Sequence, residues 1–417
     1  MSRDRIYLCL AHMSESGMEQ RYVKEAFDTN WVVPLGPNVN AFEDDLKRFV
    51  GHGKEVVALS SGTAAVHLAL IACGVQAGDE VIVQSFTFCA SSHPVAYLGA
   101  TPVFVDSERE TWNMDPDLLE EAIKDRIRKT GRKPKAIIPV ALYGMPYQIE
   151  RIMEIAGRYD IPVIEDAAEG FGSRYNGQVL GTFGRYGVLS FNGNKMITTS
   201  GGGALICPDR ESWQQVMWYA TQARESYPYY QHEQIGYNYR MSNVCAGIGR
   251  GQMTIAGEHI AHHRHVQSLY GDLLRDVAGI ELHRQPGGGV YDSNYWLCTI
   301  TLDEGLRVKG QEDAYKSIVT GAVGGAAGVI HAASSAVTDC QPNDNVEALR
   351  VALDKAGIEA RPVWKPMHRQ PVYRNNPAYV NGVSESIFNV GMCLPAGPCV
   401  TDDDVRYIVE MIKNAIG

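Results

Sequence analysis

Seven short apolar runs, separated by stretches of helical periodicity, fill the first 210 residues and limit the folds open to this chain. They are EVVALS (55–60), EVIVQS (80–85), TPVFVD (101–106), KAIIPVAL (135–142), IPVIED (161–166), GVLSF (187–191) and GGALICP (202–208). Most are apolar at consecutive positions, which predicts strands buried on both faces. Between them, Val39, Phe42, Leu46, Phe49 and Val50 recur at spacings of three and four, and further helical stretches run from Thr63 to Cys73 and from Asp117 to Arg128. This alternation predicts an α/β fold: a mostly parallel sheet with helices on both sides.

From about 210 to 270 the pattern becomes helical. Beyond 280 come a strand-like YWLCTITL (295–302), a helix over 345–356, GIEARPVW (357–364) and a last helix from about 401. At 417 residues the chain exceeds one ordinary core of roughly 150 residues. The pattern divides it into a large domain over 1–260 and a smaller α+β domain over 261–417. Within the latter, 304–344 holds TGAVGGAAGVIHAASSA (320–336), whose composition marks a mobile surface insertion. It contains no G-x-G-x-x-G, and no acidic residue follows in a βαβ unit, so a nicotinamide-linked oxidoreductase is excluded.

Charge and cysteine usage narrow the partners. Lysine and arginine number 38 against 48 acids, a net charge of -10, which opposes nucleic acid or an anionic membrane as the main partner. A small phosphorylated ligand needs only a local device and stays open. The nine cysteines are scattered without a C-x-x-C, so neither a disulfide framework nor a metal site is expected. No apolar run approaches the ~18 residues of a membrane span, and the first residues lack a signal-peptide core. The expectation is a cytoplasmic protein.

Three strand ends carry polar groups, and in open parallel sheets such ends converge on the ligand. In SSGTAAVH (60–67), Ser61, Gly62 and Thr63 stand at a helix amino end, where free N–H groups and the helix dipole favour a phosphate, although a plain N-cap fits as well. In VIEDAAEGFG (163–172), Glu165 and Asp166 must face opposite ways, so one carboxylate reaches the crevice and needs a positive partner there; an exposed strand-end acid is the alternative. In LSFNGNKMITTSGGGA (189–204), Lys195 sits in a glycine-rich turn, where a shielded amine can act as a nucleophile; taken alone, it reads as a surface lysine. Gly201, Gly202 and Gly203 permit close backbone approach beside it. A phosphate seat, a carboxylate and a lysine are together what pyridoxal 5′-phosphate requires of a protein. The histidines 259, 262, 263 and 265 lack a ligand pattern and read as a solvated helix. The basic run 125–135 reads as a solvated helix end.

The chain resembles the DegT/DnrJ/EryC1/StrS family of pyridoxal-phosphate-dependent sugar aminotransferases, whose fold is the type I aminotransferase fold. The matching segments are WVVPLGPNVNAFEDDL (31–46), SSGTAAVHLAL (60–70), SFTFCAS (85–91), IEDAAEGFGS (164–173), SFNGNK (190–195), GYNYRMSN (236–243), RPVWKPMH (361–368) and MCLPAG (392–397). The resemblance implies that Lys195 carries the cofactor and shuttles the proton, and that Asp166 pairs with the pyridine nitrogen. Glu169 would lie near the phenolic oxygen, and Phe88 would stack on the ring. Gly62, Thr63 and Ser190 would hold the phosphate, with Asn238 reaching across from a second subunit of a homodimer. Asn192, Arg361 and His368 would border the substrate, and arginines such as Arg240 or Arg361 would help to bind its anionic part. The amino donor implied is glutamate. The form S-F-N-G-N-K followed by ITTSGGG looks like the subset that aminates C4 of UDP-4-keto-6-deoxy-N-acetylglucosamine, on the route to bacillosamine. A GDP-perosamine-forming subset is similar in this segment. An aminotransferase of 3-keto sugars stays open as well, as does a regulator that binds pyridoxal phosphate or a nucleotide sugar without turnover.

Overall fold

The computed structural model describes residues 4–315 and 340–416. All seven runs form strands: β1 Glu55–Leu59, β2 Glu80–Gln84, β3 Thr101–Val105, β4 Ala136–Ile138, β5 Ile164–Asp166, β6 Tyr186–Ser190 and β7 Gly203–Cys207. They lie in the order β1-β7-β6-β5 and β4-β2-β3. Parallel bridges Ile137↔Val163 and Val140↔Asp166 join the two groups through β4 and β5. Only β7 among the seven runs against its neighbours. A two-residue strand from the other end of the chain, Ala378–Tyr379, adds a parallel edge beside β3.

Helices cover both faces. Along β2, Ile82 enters one core with Phe42, Leu46 and Val103, while Val81 and Val83 enter the opposite core with Leu68, Leu70 and Phe104. Each of these three β2 residues is completely buried. Burial on both faces is why the strands read as unbroken apolar runs.

A second sheet is antiparallel throughout, built from β8 Ile280–Leu282, β9 Cys298–Leu302, β10 Arg361–Pro362 and β11 Gly391–Leu394 in the order β8-β9-β11-β10. Its core joins Ile300, Met392 and Leu394 to Leu349 and Leu353 of helix Asp344–Lys355 and Ile408 and Ile412 of helix Asp402–Ala415. Ile6 also enters this core, held by Ile6 N to Gly357 O at 2.9 Å and Glu359 N to Ile6 O at 2.8 Å. The division at residue 260 is therefore crossed twice, by Ile6 and by the strand at 378–379. The Gly/Ala-rich tract at 320–336, read as an insertion, lies outside the described residues.

The helix Ala256–Leu273 corrects the reading of its histidines as solvated. Ala256, His259, Ile260, His263, Val266 and Tyr270 form its buried stripe, and His263 is completely buried. His263 Nδ1 faces Tyr295 O at 3.2 Å, and burial pushes its pKa down to about 3, so the ring is neutral. His265, at the solvated side, pairs with Asp402 at 2.7 Å. Among the described residues, no three histidine, cysteine, aspartate or glutamate side chains are grouped to hold a metal ion, and no helix is long and apolar enough to cross a membrane.

Candidate active site

The parallel strands point their carboxyl ends to one side, and β7, running the other way, presents its amino end there. Between these ends lies a cavity of about 410 Å³. Its lining includes Ser61, Gly62 and Thr63 after β1, Phe88 and Ser91 after β2, Asp166 at the end of β5, Ser190 at the end of β6, and Gly202 before β7. Glu169, Asn192, Asn194, Lys195, Trp296 and Trp364 complete the polar and aromatic wall. A larger, more open cleft of about 1040 Å³ lies against Arg109–Trp112 and residues 271–284. It shares none of these groups, so chemistry rather than size selects the site.

Asp166 and Glu165 divide as strand alternation requires. Glu165 turns away and accepts N–H bonds from Gly181 at 3.0 Å and Phe183 at 2.6 Å. Asp166 faces the cavity, where Ser91 Oγ donates to it at 2.6 Å and Ala168 N at 3.1 Å. Burial pushes the Asp166 carboxyl up, opposed by the Ser91 and Ala168 hydrogen bonds and by the Lys195 charge. A further cation facing it, such as a protonated ring nitrogen, would therefore gain from the pairing.

Lys195 Nζ lies 3.5 Å from Glu169 Oε1 and 4.0 Å from the centroid of the Trp296 ring. Glu169 is buried, which pushes its carboxyl up, while Lys195 and the Tyr143 backbone N–H pull it down. That N–H donates to Glu169 Oε2 at 2.7 Å. Tyr143 adopts φ 53° and accepts Trp364 N at its hydroxyl, 2.8 Å away, so one strained residue ties the carboxylate to the segment carrying Trp364.

The amino end of helix Gly62–Ala72 forms a cradle. Ser61 caps it by accepting Ala64 N at 3.0 Å. Glycine at 203 is a steric requirement, because a Cβ there would come within 2.4 Å of Gly62 N. A Cβ on Gly202 would meet Thr199 Oγ1 at 2.1 Å, whereas Gly201 has open space. Gly203 therefore lets the β7 end close on the helix end, and Gly202 lets it close on Thr199 and Met241. Backbone N–H groups, Thr63 and Ser190 suit a phosphate here. Phosphate cradle, buried carboxylate and amine together fit pyridoxal phosphate.

Four expected residues lie elsewhere in this chain. His368 is committed on both ring nitrogens, Nδ1 to Ser85 Oγ at 2.6 Å and Nε2 to Glu385 Oε1 at 3.0 Å. It fastens the 361–368 segment to the end of β2 and is not part of the cavity lining. Arg361 lies exposed on β10, paired with Glu359 at 2.9 Å. Arg240 is sealed against Glu43 and the Ala58 carbonyl. A strand or turn arginine beside a carboxylate satisfies its charge locally, so neither arginine is offered to the cavity. Asn238 is exposed and outside it. The residues that sequence reasoning missed are Ser91, Tyr143, Asn194, Trp296 and Trp364. Ser91, Asn194 and Trp364 carried a signal, since they lie in the segments SFTFCAS, SFNGNK and RPVWKPMH.

The DegT/DnrJ/EryC1/StrS aminotransferase family model matches residues 14–320 and 311–413. The chain belongs to this family. It is 41% identical to EpsN of Bacillus subtilis (strain 168), assigned as a pyridoxal phosphate-dependent aminotransferase, over 98% of this chain and 95% of that protein. It is 33% identical to the GDP-perosamine synthase of Escherichia coli O157:H7 over 98% of both chains. The solved structure of a DegT DnrJ EryC1 StrS aminotransferase from Brucella abortus superposes with a TM-score of 0.81 at 26% identity, covering 96% of this chain and 95% of that one. The fold is that of the type I aminotransferases, and the protein is a pyridoxal-phosphate-dependent aminotransferase.

Proposed function

We propose that the protein moves an amino group from glutamate to the C4 keto carbon of a nucleotide-linked 4-keto-6-deoxy sugar, namely UDP-2-acetamido-2,6-dideoxy-4-hexulose. The observation that carries the chemistry is the convergence of Lys195, Asp166, Glu169 and the Gly62 helix end on one cavity. Glutamate leaves as 2-oxoglutarate, and the sugar leaves with an amine at C4. When bound, pyridoxal phosphate supplies a carbonyl that condenses with amines and a ring that accepts electron density.

The chain's own groups do the rest. The helix end and Ser190 hold the phosphate. Asp166 fixes and charges the ring nitrogen, favouring the electron-rich transition state. The Lys195 amine holds the cofactor and, once released, takes and returns the proton at the reacting carbon as general base and acid. Glu169 faces that amine and balances its charge. Asn192, exposed and within hydrogen-bond reach of Asn194 at 3.3 Å, presents amide groups at the mouth for sugar hydroxyl or acetamido groups.

The test is an amination assay with glutamate and a panel of UDP-, GDP- and dTDP-linked 4-keto-6-deoxy sugars and their 3-keto counterparts. Product is expected with the UDP-acetamido sugar, and turnover confined to a 3-keto sugar would sink the C4 assignment. GDP-4-keto-6-deoxymannose is the second reading, supported by the 33% identity to a GDP-perosamine synthase, and the same panel separates the two.

The reading includes a second copy of the chain. Among the described residues that line the cavity, Lys195 is the one cation, so a dianionic phosphate and a nucleotide would gain from groups brought by a partner. Trp31, Val32, Val33 and Leu35, and Tyr227, Tyr229, Tyr230 and Ile235, are exposed apolar surface, and Asn238 follows the second group closely. Sedimentation equilibrium should give twice 45.8 kDa; a single-chain mass would remove Asn238 from the site.

A further inference from the structure

Trp296 is the largest completely buried side chain among the described residues, yet both parts of its indole are engaged with the reactive turn. Its Nε1–H donates to Asn194 O at 2.7 Å, the residue immediately before Lys195. Its π face lies under Lys195 Nζ, 4.0 Å from the ring centroid, while Glu169 approaches the same amine at 3.5 Å. A side chain present only to fill space would need neither contact.

The two partners of the amine are mechanically linked. Asn294 Nδ2 donates to the carbonyls of Glu169 and Phe171, both at 2.9 Å, and its Oδ1 accepts Trp296 N at 2.9 Å. Asn294 N in turn donates to Ser173 Oγ at 2.9 Å, and Ser293 Oγ to Gly144 O at 3.0 Å. Gly144 has φ 93°, and a Cβ there would lie 1.8 Å from Asn294 Oδ1, so this crossing tolerates no side chain. The segment leading into β9 is thus pinned into the large sheet's strand ends, with Glu169 and Trp296 at a fixed separation.

We propose that Trp296 is a positioning residue that, opposite Glu169, receives the Lys195 side chain once it is released from the cofactor, holding it as an ammonium while it carries the proton. An aminotransferase lysine must leave the cofactor in one half-reaction and come back in the other. A flexible four-carbon stem without a defined second position would sample many rotamers. An aromatic face on one side and a carboxylate on the other define that position without a rigid ion pair. The inference rests on Lys195 being the reactive amine, and its test reads the amine directly, so failure of the sugar assignment leaves it untouched.

The experiment uses the full-chain holoenzyme with excess glutamate and no sugar acceptor, which leaves Lys195 unbonded. Trp296 alone is replaced site-specifically by mono-, di- and tetrafluorotryptophan, which keep shape and N–H while draining the π face. Acylation of Lys195 by acetic anhydride is followed by peptide mass spectrometry, with exposed Lys24 as internal control. Weakening a cation–π contact should speed Lys195 acylation stepwise, by roughly 2- to 30-fold at tetrafluorotryptophan, with Lys24 unchanged. In steady state, kcat should fall along the series while KM for glutamate holds. Trp296→Phe, which keeps an aromatic face, should stay closer to the parent than the tetrafluoro protein. Acylation rates that do not vary with fluorination would overturn the proposal, because a purely structural indole is indifferent to its π density.

Discussion

Lys195→Ala should lower turnover by about 10⁴-fold or more, because one side chain supplies both the covalent attachment and the proton carrier. The same variant should lose the visible absorption band that a lysine-bound cofactor gives. The effect should be chemical rather than structural. Lys195 sits in a turn after β6, its side chain contacts Glu169 and Trp296, and no core cluster depends on it. Circular dichroism and thermal unfolding close to the parent would confirm that the fold survives. A Lys195→Ala protein that transaminates at the parent rate would refute the mechanism.

Asp166→Asn should leave the fold and the phosphate seat intact, yet cost about 10²- to 10³-fold in kcat, the usual loss when one preorganised electrostatic group is removed. The substitution is nearly isosteric. An asparagine Oδ1 can still accept from Ala168 N, while its Nδ2, in place of Oδ2, can donate to Ser91 Oγ, whose own hydrogen can turn to Thr87 Oγ1. What disappears is the negative charge that keeps a ring nitrogen protonated. Bound-cofactor stoichiometry near one per chain together with the low kcat would separate this role from simple loss of binding. A kcat within about threefold of the parent would assign ring protonation to another group.

The strands were legible because a parallel sheet covered on both sides leaves an unambiguous trace: Val81, Ile82 and Val83 cannot be anything but buried on two faces. The strand-end residues followed from that trace, since Asp166 and Glu165 differ only by which way alternation turns them. Trp296 was not legible. It lies in an apolar run, and its engagement with Lys195 comes from a segment about 100 residues further on that crosses between the two sheets. His368 falls outside the cavity lining for a related reason. Its motif put it beside the substrate, but Ser85 and Glu385 occupy its two nitrogens, and Ser85 is 283 residues distant. The buried histidines of helix Ala256–Leu273 were misread because a neutral imidazole on an inward stripe has the same letter as a solvated one.

The strand at 378–379 also affects the order in which the molecule can be completed. It pairs with β3, through Phe104 N to Pro377 O at 2.9 Å and Asp106 N to Tyr379 O at 3.0 Å, so the outer border of the large sheet is finished by residues that leave the ribosome long after β3 itself. Ile6, made long before them, must likewise await Gly357 and Glu359. A nascent chain that has not yet reached residue 357 therefore carries an open β3 edge and an unplaced Ile6, both hazards for mispairing with a neighbouring chain. Translation that halts just before residue 377 would have made every residue that lines the cavity, Trp364 included, and would still leave the sheet unsealed.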